Sequence, residues 1–378
     1  MKNIFYWSPF IGNVATIKAV INSAFSLSKF SKGSLFPSII NSGGEWNEYE
    51  NEINLKKIKS IELQRKYKIN TKINGFFKSR LEYLKIFIYC YFPLKNLITR
   101  NNPNYLIVHL ITSLPIILYL FNNFETKLII RISGKVKFTF FRKLIWKLAS
   151  KKIYLITCPT IQTMNDLKSQ NIFPENKIIF LPDPIINITE INKNRKQEME
   201  IKIKDKYILT VGRFTKQKNH NLIFDLISQI KDNLNDLSFV IIGNGELKND
   251  YLKTIKKKKI ENRVKIIDYS NNIFPYINDS FAVLSTSIWE DPGFVMIESA
   301  ACNKLVISSD CPSGPNEFIG IENGILFKNN DLNDLKNKIE KVIKLDTNSF
   351  FKMKVGAKKK SKYYTKLNHY KILSKYFK

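Results

Sequence analysis

The sequence predicts two α/β domains in tandem, each built on its own parallel sheet. Three observations predict it. Short apolar runs alternate with helix-like stretches throughout the 378 residues, as in β-α-β units whose strands are covered by helices on both faces. A polar, charged break begins at Pro182-Asp183-Pro184 and runs to Lys206, and the same alternation then restarts. The length suits two domains of roughly 100–200 residues each.

In chain order, the first expected strand is 4–7, followed by Gly12 and a helical pattern over 14–28. The second is 35–40, ended by Gly43-Gly44. Further strands are expected at 105–110, at 127–132 (closed by Ser133-Gly134), at 153–157 and at 178–181. In the second half the apolar runs fall at 207–211, 237–242, 264–267, 282–285 and 305–308. The expected boundaries are a first domain over 1–188, a linker over 189–206, a second domain over 207–350 and a Lys-rich C-terminal segment over 351–378.

Hydrophobic residues at 44% and charged residues at 25% exclude a disordered chain. The four cysteines, Cys90, Cys158, Cys302 and Cys311, contain no CxxC pair, and the chain has three His. A structural zinc site is therefore not expected, and the thiols are expected to be free and buried in a reducing compartment. Pro9 interrupts the opening apolar run too early for a signal core. The run 105–121 contains His109, Thr112, Ser113 and Pro115 and falls short of the ~20 apolar residues of a membrane span. It reads as a buried strand followed by a core helix.

The net charge is +29, from 61 basic and 32 acidic residues. Such a balance points to an anionic partner: nucleic acid, a membrane surface or phosphorylated substrates. Only 8 of the basic residues are Arg, and Arg is the usual tool for bidentate phosphate and guanine contacts. No Arg-rich patch with interleaved aromatics is present, so a nucleic-acid partner is not expected. The charge is uneven. Residues 201–350 carry 21 basic and 19 acidic side chains, whereas 351–378 carry 10 Lys and no acid. Residues 56–100 hold 12 basic and 2 acidic side chains, and 127–152 hold 9 basic and none acidic.

Three motifs carry chemistry. Gly212-Arg213-Phe214-Thr215-Lys216-Gln217-Lys218 follows an expected strand, so Arg213 and Lys218 are placed to clamp a diphosphate at its carboxyl end. Gly243-Asn244-Gly245 follows the next strand without the third glycine of a dinucleotide fingerprint. In Glu290-Asp291-Pro292-Gly293-Phe294-Val295, Asp291 and Pro292 read as a helix N-cap and first helical residue. The amides of Gly293, Phe294 and Val295 would then form an anion site at the helix N-terminus. Glu290 lies just before that helix and Glu298 about two turns inside it, among small and apolar neighbours. Carboxylates flanking an anion site suit hydroxyls on either side of a diphosphate: a sugar at one end and a ribose at the other.

With Glu290 and Glu298 in a Glu-x7-Glu arrangement, Gly212-Arg213 and Lys218 upstream, and Asp310-Cys311-Pro312-Ser313-Gly314-Pro315 downstream, the second half resembles the retaining GT-B glycosyltransferases of family 4. The resemblance is strong over about 205–345 and fainter over 1–200, including Cys158-Pro159-Thr160 and Leu181-Pro182-Asp183-Pro184. It implies two Rossmann-like domains with facing sheets and an interdomain cleft. The C-terminal helix would return to the first domain, and a nucleotide-sugar would be held mainly by the second. By position it assigns Arg213 and Lys218 to the diphosphate, Glu290 to hydroxyls of the transferred sugar and Glu298 to the ribose. Gly212 and the amides at Gly293, Phe294 and Val295 would line the donor, and Asp268 with Tyr269 would lie where the base packs. No Asp-x-Asp occurs in the chain, so no metal and no cofactor is expected.

The implied activity is retaining transfer of a hexose or N-acetylhexosamine, UDP-linked by preference, to a lipid-linked or polysaccharide acceptor in cell-surface glycan synthesis. The alternatives are a basic nucleic-acid-binding protein and a catalytically inactive sugar-binding relative. The first half departs from the family where relatives carry a His before a Gly: here the stretch is Arg131-Ile132-Ser133-Gly134. Gly12, Asn13, His109 and Ser133 are the candidates for the acceptor side of the cleft. The cationic first half and Lys-rich tail, with Tyr83, Phe87, Tyr89, Tyr91 and Phe92 among the basic residues, suggest peripheral docking on the anionic inner face of the cytoplasmic membrane.

Overall fold

The computed structural model describes residues 1–12, 15–73, 75–134, 136–230 and 237–377. They form two compact units: Met1–Ile185 with Lys366–Lys378, and Ile186–Thr365.

The first unit is built on seven parallel strands: β1 (Lys2–Trp7), β2 (Leu35–Asn41), β3 (Lys59–Glu62), β4 (Tyr105–Val108), β5 (Lys127–Arg131), β6 (Ile153–Cys158) and β7 (Ile178–Phe180). Their spatial order is β3-β2-β1-β4-β5-β6-β7. The chain moves outward from β1 to β3 and then resumes at β4 on the other side of β1. That reversal is a topological switch point, the usual place for a ligand crevice in an open α/β sheet. Tyr6 of β1 is in register with Ile39 of β2 and Ile107 of β4.

Alternate residues of these strands feed two cores. Phe5, Trp7, Leu106 and Val108 pack with the helices Phe76–Asn101, Ser113–Phe121 and Phe140–Ala149 on one face. Ile4, Tyr6, Tyr105 and Ile107 pack with the helix Thr16–Phe30 and with Leu373 on the other. Strands buried on both faces read as continuous apolar runs, which is why they were visible in the sequence.

The second unit has six parallel strands: β8 (Lys206–Val211), β9 (Leu237–Ile242), β10 (Val264–Ile267), β11 (Ala282–Ser285), β12 (Leu305–Asp310) and β13 (Ile325–Lys328). Their order is β10-β9-β8-β11-β12-β13, so the switch point falls between β8 and β11. One continuous core runs from Phe224 and Ile227 through Phe239 and Ile307 to Leu335 and Ile339.

Two segments differ from the sequence expectation. Residues 189–206 are no free linker: Ile188–Asn194 is helical, and Asn272 Nδ2 donates to the Asn194 carbonyl (3.0 Å) and to Gln197 Oε1 (2.7 Å). The stretch is mostly exposed, which suits its polar composition, and it is tied to the second unit through the Asn194 carbonyl and the side chains of Gln197 and Glu200. The Lys-rich end is divided as well. The helix Thr347–Ser361 belongs to the second unit and packs on the helix Phe294–Ala301. The helix Lys366–Leu373 belongs to the first unit and packs on Thr16–Phe30. Strands β3 and β13 were not expected. Both are edge strands of four residues, and β3 is part-exposed along its length, so neither presents a long apolar run.

Candidate active site

The loops that follow β8 and β11 hold the strongest constellation. Gly212 leaves β8 with its N–H on the Ile242 carbonyl (3.0 Å), and Phe214 N–H reaches the Asn244 carbonyl (2.9 Å). Gly243 makes this crossing possible: a Cβ there would lie 2.0 Å from the Gly212 carbonyl oxygen. The Gly-x-Gly motif therefore admits the protein's own backbone, which holds the first loop in place. Phe214 is fully buried, with the rings of His220 and Tyr251 at 5.6 Å and 5.4 Å. His220 is held down to about 3, first by burial and then by the charge of Lys218, so it is neutral.

Arg213 is exposed, with no side-chain partner among the described residues. Lys218 ends a short 3-10 turn, after which Asn219 adopts a left-handed conformation. The Lys218 Nζ lies 2.5 Å from Glu290 Oε1. This ion pair spans the switch point between β8 and β11. The two loops are laced together around it. Gln217 Nε2 donates to the Trp289 carbonyl (3.0 Å), and Thr286 Oγ1 donates to the Lys218 carbonyl (3.0 Å).

Glu290 is buried, at 9% exposure. Its Oε1 accepts from Lys218 and also from Ser287 Oγ (2.6 Å). Ser287 is held by Ser309, whose hydroxyl donates to the Ser287 carbonyl at 2.5 Å. Among the described residues Glu290 Oε2 has no partner, so one carboxylate oxygen is anchored and the other is available to a hydroxyl. Ser287, Gln217 and Ser309 were not singled out from the sequence. A serine three residues before a glutamate is too common a spacing to signal such a role.

The helix beyond Glu290 starts later than its sequence suggested. Asp291 and Pro292 are joined by a cis peptide bond and are not helical. The N-cap is Gly293, left-handed at φ 91°, and the helix is Phe294–Ala301. The cause is local: Gly293 takes the left-handed cap position, which glycine adopts without strain. The amides without intrahelical acceptors therefore belong to Gly293, Phe294, Val295 and Met296, the expected set and one residue more. Glu298 is the fifth residue of the helix, little more than one turn in, and half-buried.

Asp268 and Tyr269 follow β10 at the same carboxyl edge of the sheet, two strands from β8. Both are exposed, and Asp268 is paired with Lys248. Among the described residues no group of three or more His, Cys, Asp or Glu is arranged to hold a metal ion. Cys311, beside the Glu290 loop, has its thiol pushed up to about 11, chiefly by burial.

In the first unit, Gly12 lies in the loop after β1 with open space around it. Asn13 lies outside the described residues. His109 follows β4 directly, its N–H on the Trp7 carbonyl (3.0 Å) and its ring 5.9 Å from that of Tyr6. It is buried, its Nδ1 has no partner among the described residues, and burial and then the Arg131 charge hold it well below the ordinary His range. Ser133 receives a hydrogen bond from Arg131 Nη1 (2.5 Å). Arg131 itself forks onto Asp183, Nε to Oδ1 at 2.9 Å and Nη2 to Oδ2 at 2.5 Å. Both are buried. The end of β5 is thus fixed by a buried bidentate ion pair, with Ser133 bonded to the same arginine.

Residues 191–361 match the family model Glycosyl transferases group 1. The chain is 32% identical over 172 residues to the N-acetylgalactosamine-N,N'-diacetylbacillosaminyl-diphospho-undecaprenol 4-alpha-N-acetylgalactosaminyltransferase of Campylobacter jejuni. That match spans 45% of each chain. Among solved structures, the chain is similar over 99% of its length to a glycosyltransferase from Rickettsia africae (TM-score 0.77, 18% identity, 97% of that chain). It is likewise similar to Anabaena HepE in complex with UDP and glucose (TM-score 0.71, 14% identity, 99% of each chain). At these identities the structural likeness gives the fold: two Rossmann-like units of the GT-B type.

Proposed function

We propose that this protein is a retaining glycosyltransferase that moves a hexose or N-acetylhexosamine from a UDP-sugar to a lipid-linked or polysaccharide acceptor. The observation that carries the reading is the geometry of Glu290. Lys218 and Ser287 hold one carboxylate oxygen and leave the other open, beside a helix whose first-turn amides face no acceptor of their own. A cation, an open carboxylate oxygen and a helix N-terminus at one switch point match the parts of a sugar diphosphate.

In this reading Lys218, Arg213 and the amides of Phe294, Val295 and Met296 take the diphosphate, with Gly212 and Gly293 shaping the floor. Negative charge builds on the leaving phosphate as the anomeric C–O bond breaks. Preorganised cations and aligned amides stabilise it. Glu290 Oε2 accepts a hydroxyl of the transferred sugar and fixes its orientation. Glu298 takes the ribose, and Asp268 and Tyr269 flank the base. The acceptor oxygen bonds to the anomeric carbon on the face the phosphate leaves, and its proton passes to a phosphate oxygen, so configuration is retained. No step in this scheme calls for a metal.

The name of the Campylobacter relative, which acts on an undecaprenol-diphosphate glycan, supports a lipid-linked acceptor. The UDP in the Anabaena structure supports the base. The setting we propose is cytoplasmic, at the inner membrane face. The test is a donor screen with the full chain, with and without EDTA. It should release UDP from one UDP-hexose or UDP-N-acetylhexosamine at a rate that chelator leaves intact. Release of GDP instead, or loss with EDTA restored by Mn²⁺, would contradict the reading.

A further inference from the structure

The first unit carries an apolar, cation-flanked face that its own fold leaves uncovered. The helix Phe76–Asn101 is apolar on two opposite sides. Glu82, Ile86, Cys90, Leu94 and Ile98, four residues apart, are buried, the last four of them in the core. Phe77, Leu81, Leu84, Ile88 and Phe92 recur at four, three, four and four residues, which places them on one stripe roughly opposite the buried one. All five are exposed, Phe77 at 85% and Phe92 at 66%.

The helix Phe140–Ala149 repeats the arrangement. Trp146 and Ala149 enter the same core, while Phe141 (75% exposed), Leu144 and Leu148 (61%) face out. Both helices pack against Ser113–Phe121 on the same side of the sheet, so both outward stripes look away from the sheet in one direction. Cations border them: Lys78 and Lys85 on the first helix, Lys143 and Lys147 on the second. These are the two segments with 12 basic against 2 acidic residues and 9 against none.

We infer that this two-helix face is the surface by which the protein lies on an anionic lipid bilayer, with Phe77, Phe92, Phe141 and Leu148 entering the headgroup region. Helices with large apolar residues on one face and lysines on its borders suit an interface with acidic headgroups. A protein partner of matching chemistry would need an apolar patch ringed by acids. A bilayer supplies both over any area. No described helix is long and apolar enough to cross a membrane, so the attachment is along the surface.

The placement keeps part of the sequence expectation: of its five aromatics Tyr83, Tyr89 and Phe92 are exposed. Phe87 and Tyr91 are packed against the core. Leu373 of the Lys-rich end joins the core on the opposite side of the sheet. The C-terminal lysines of the first unit therefore do not share the apolar face.

The test is flotation of the full chain with phosphatidylcholine vesicles, with and without about one third phosphatidylglycerol. The wild type should bind the anionic vesicles at least ~10-fold more tightly. F141S/L144S/L148S should lose ~10-fold or more on the same vesicles at unchanged melting temperature. K143E/K147E should lose binding to anionic vesicles only. Equal partition to both vesicle types, or no loss in the serine variant, would overturn the inference. So would a stable dimer that the serine variant turns into a monomer, since a second copy would then cover the face. The readout uses neither donor nor acceptor, so it stands or falls apart from the proposed glycosyl transfer.

Discussion

Lys218 Nζ sits 2.5 Å from Glu290 Oε1, across the point where the second sheet reverses its strand order. The lysine comes from the loop after β8 and the glutamate from the loop after β11, 72 residues apart. Glu290 is the more buried of the two, and its second anchor is Ser287 alone. The pair joins the two loops and presents one open carboxylate oxygen beside a helix N-terminus.

Lys218→Ala removes the cation and leaves Glu290 with only Ser287. Affinity for UDP should fall ~10- to 100-fold by calorimetry, as expected for losing a charge-assisted contact. Stability should drop by about 1–3 kcal/mol in urea denaturation, the usual cost of orphaning a largely buried charge. Unchanged UDP affinity would remove Lys218 from the diphosphate site.

Gly293→Ala tests the helix cap. A Cβ there would meet Met296 Cε at 3.5 Å, Glu290 Cγ at 3.6 Å and Glu290 Cβ at 3.7 Å as its nearest atoms, which is ordinary contact. The cost is conformational: φ is 91°, and a side chain in left-handed backbone costs about 1–2 kcal/mol. Denaturant midpoints should show that loss. Turnover should fall further than stability if the first-turn amides hold phosphate.

Arg131→Met should destabilise the first unit by about 3–5 kcal/mol, because it leaves the Asp183 carboxylate buried and unpaired. The double variant R131M/D183L should recover most of the loss, since it removes both charges together. Differential scanning calorimetry of the two variants checks this. A single variant as stable as wild type would show that the fork holds nothing.

Much of this fold was legible in the sequence, and the failures have physical causes. Strands buried on both faces announce themselves as apolar runs, and each of the eleven expected runs overlaps one of the thirteen strands found among the described residues. Strands β3 and β13 do not: each is four residues with part-exposed positions and an exposed charged end. Glu290, Lys218 and Arg213 were visible through motif spacing. Their anchors were not, because Ser287 and Gln217 act through loop geometry that no periodicity encodes. The helix Phe76–Asn101 showed its basic and aromatic character but not which side faces out, because a helix apolar on two sides shows no single period.

Acid should loosen the protein through its three histidines, all buried. His369 Nδ1 lies 2.8 Å from the Pro182 carbonyl, so Nδ1 carries the proton and Nε2 accepts from Ser23 Oγ, also at 2.8 Å. Tyr6 OH then donates to Ser23 Oγ at 2.9 Å. Burial holds His369 down to about 4 and His220 to about 3. An unfolded His titrates near 6.5, so the unfolded chain binds more protons below that pH. The stability from neutral His369 is complete above about 6.5 and is lost as pH falls towards about 4. Melting temperature should decline across that window, and His369→Gln should flatten the decline. A melting temperature independent of pH from 7 to 4 would contradict a neutral buried cluster.

The most direct test of the central claim is donor turnover by wild type and Glu290→Gln under one set of conditions. Gln keeps the volume and can still accept from Ser287 and Lys218, so the fold should be retained. If Glu290 orients the transferred sugar, UDP release from the active donor should fall by ~100-fold or more while UDP itself still binds. Wild-type turnover in Glu290→Gln, or no nucleotide release by the wild type from any sugar donor, would contradict the account.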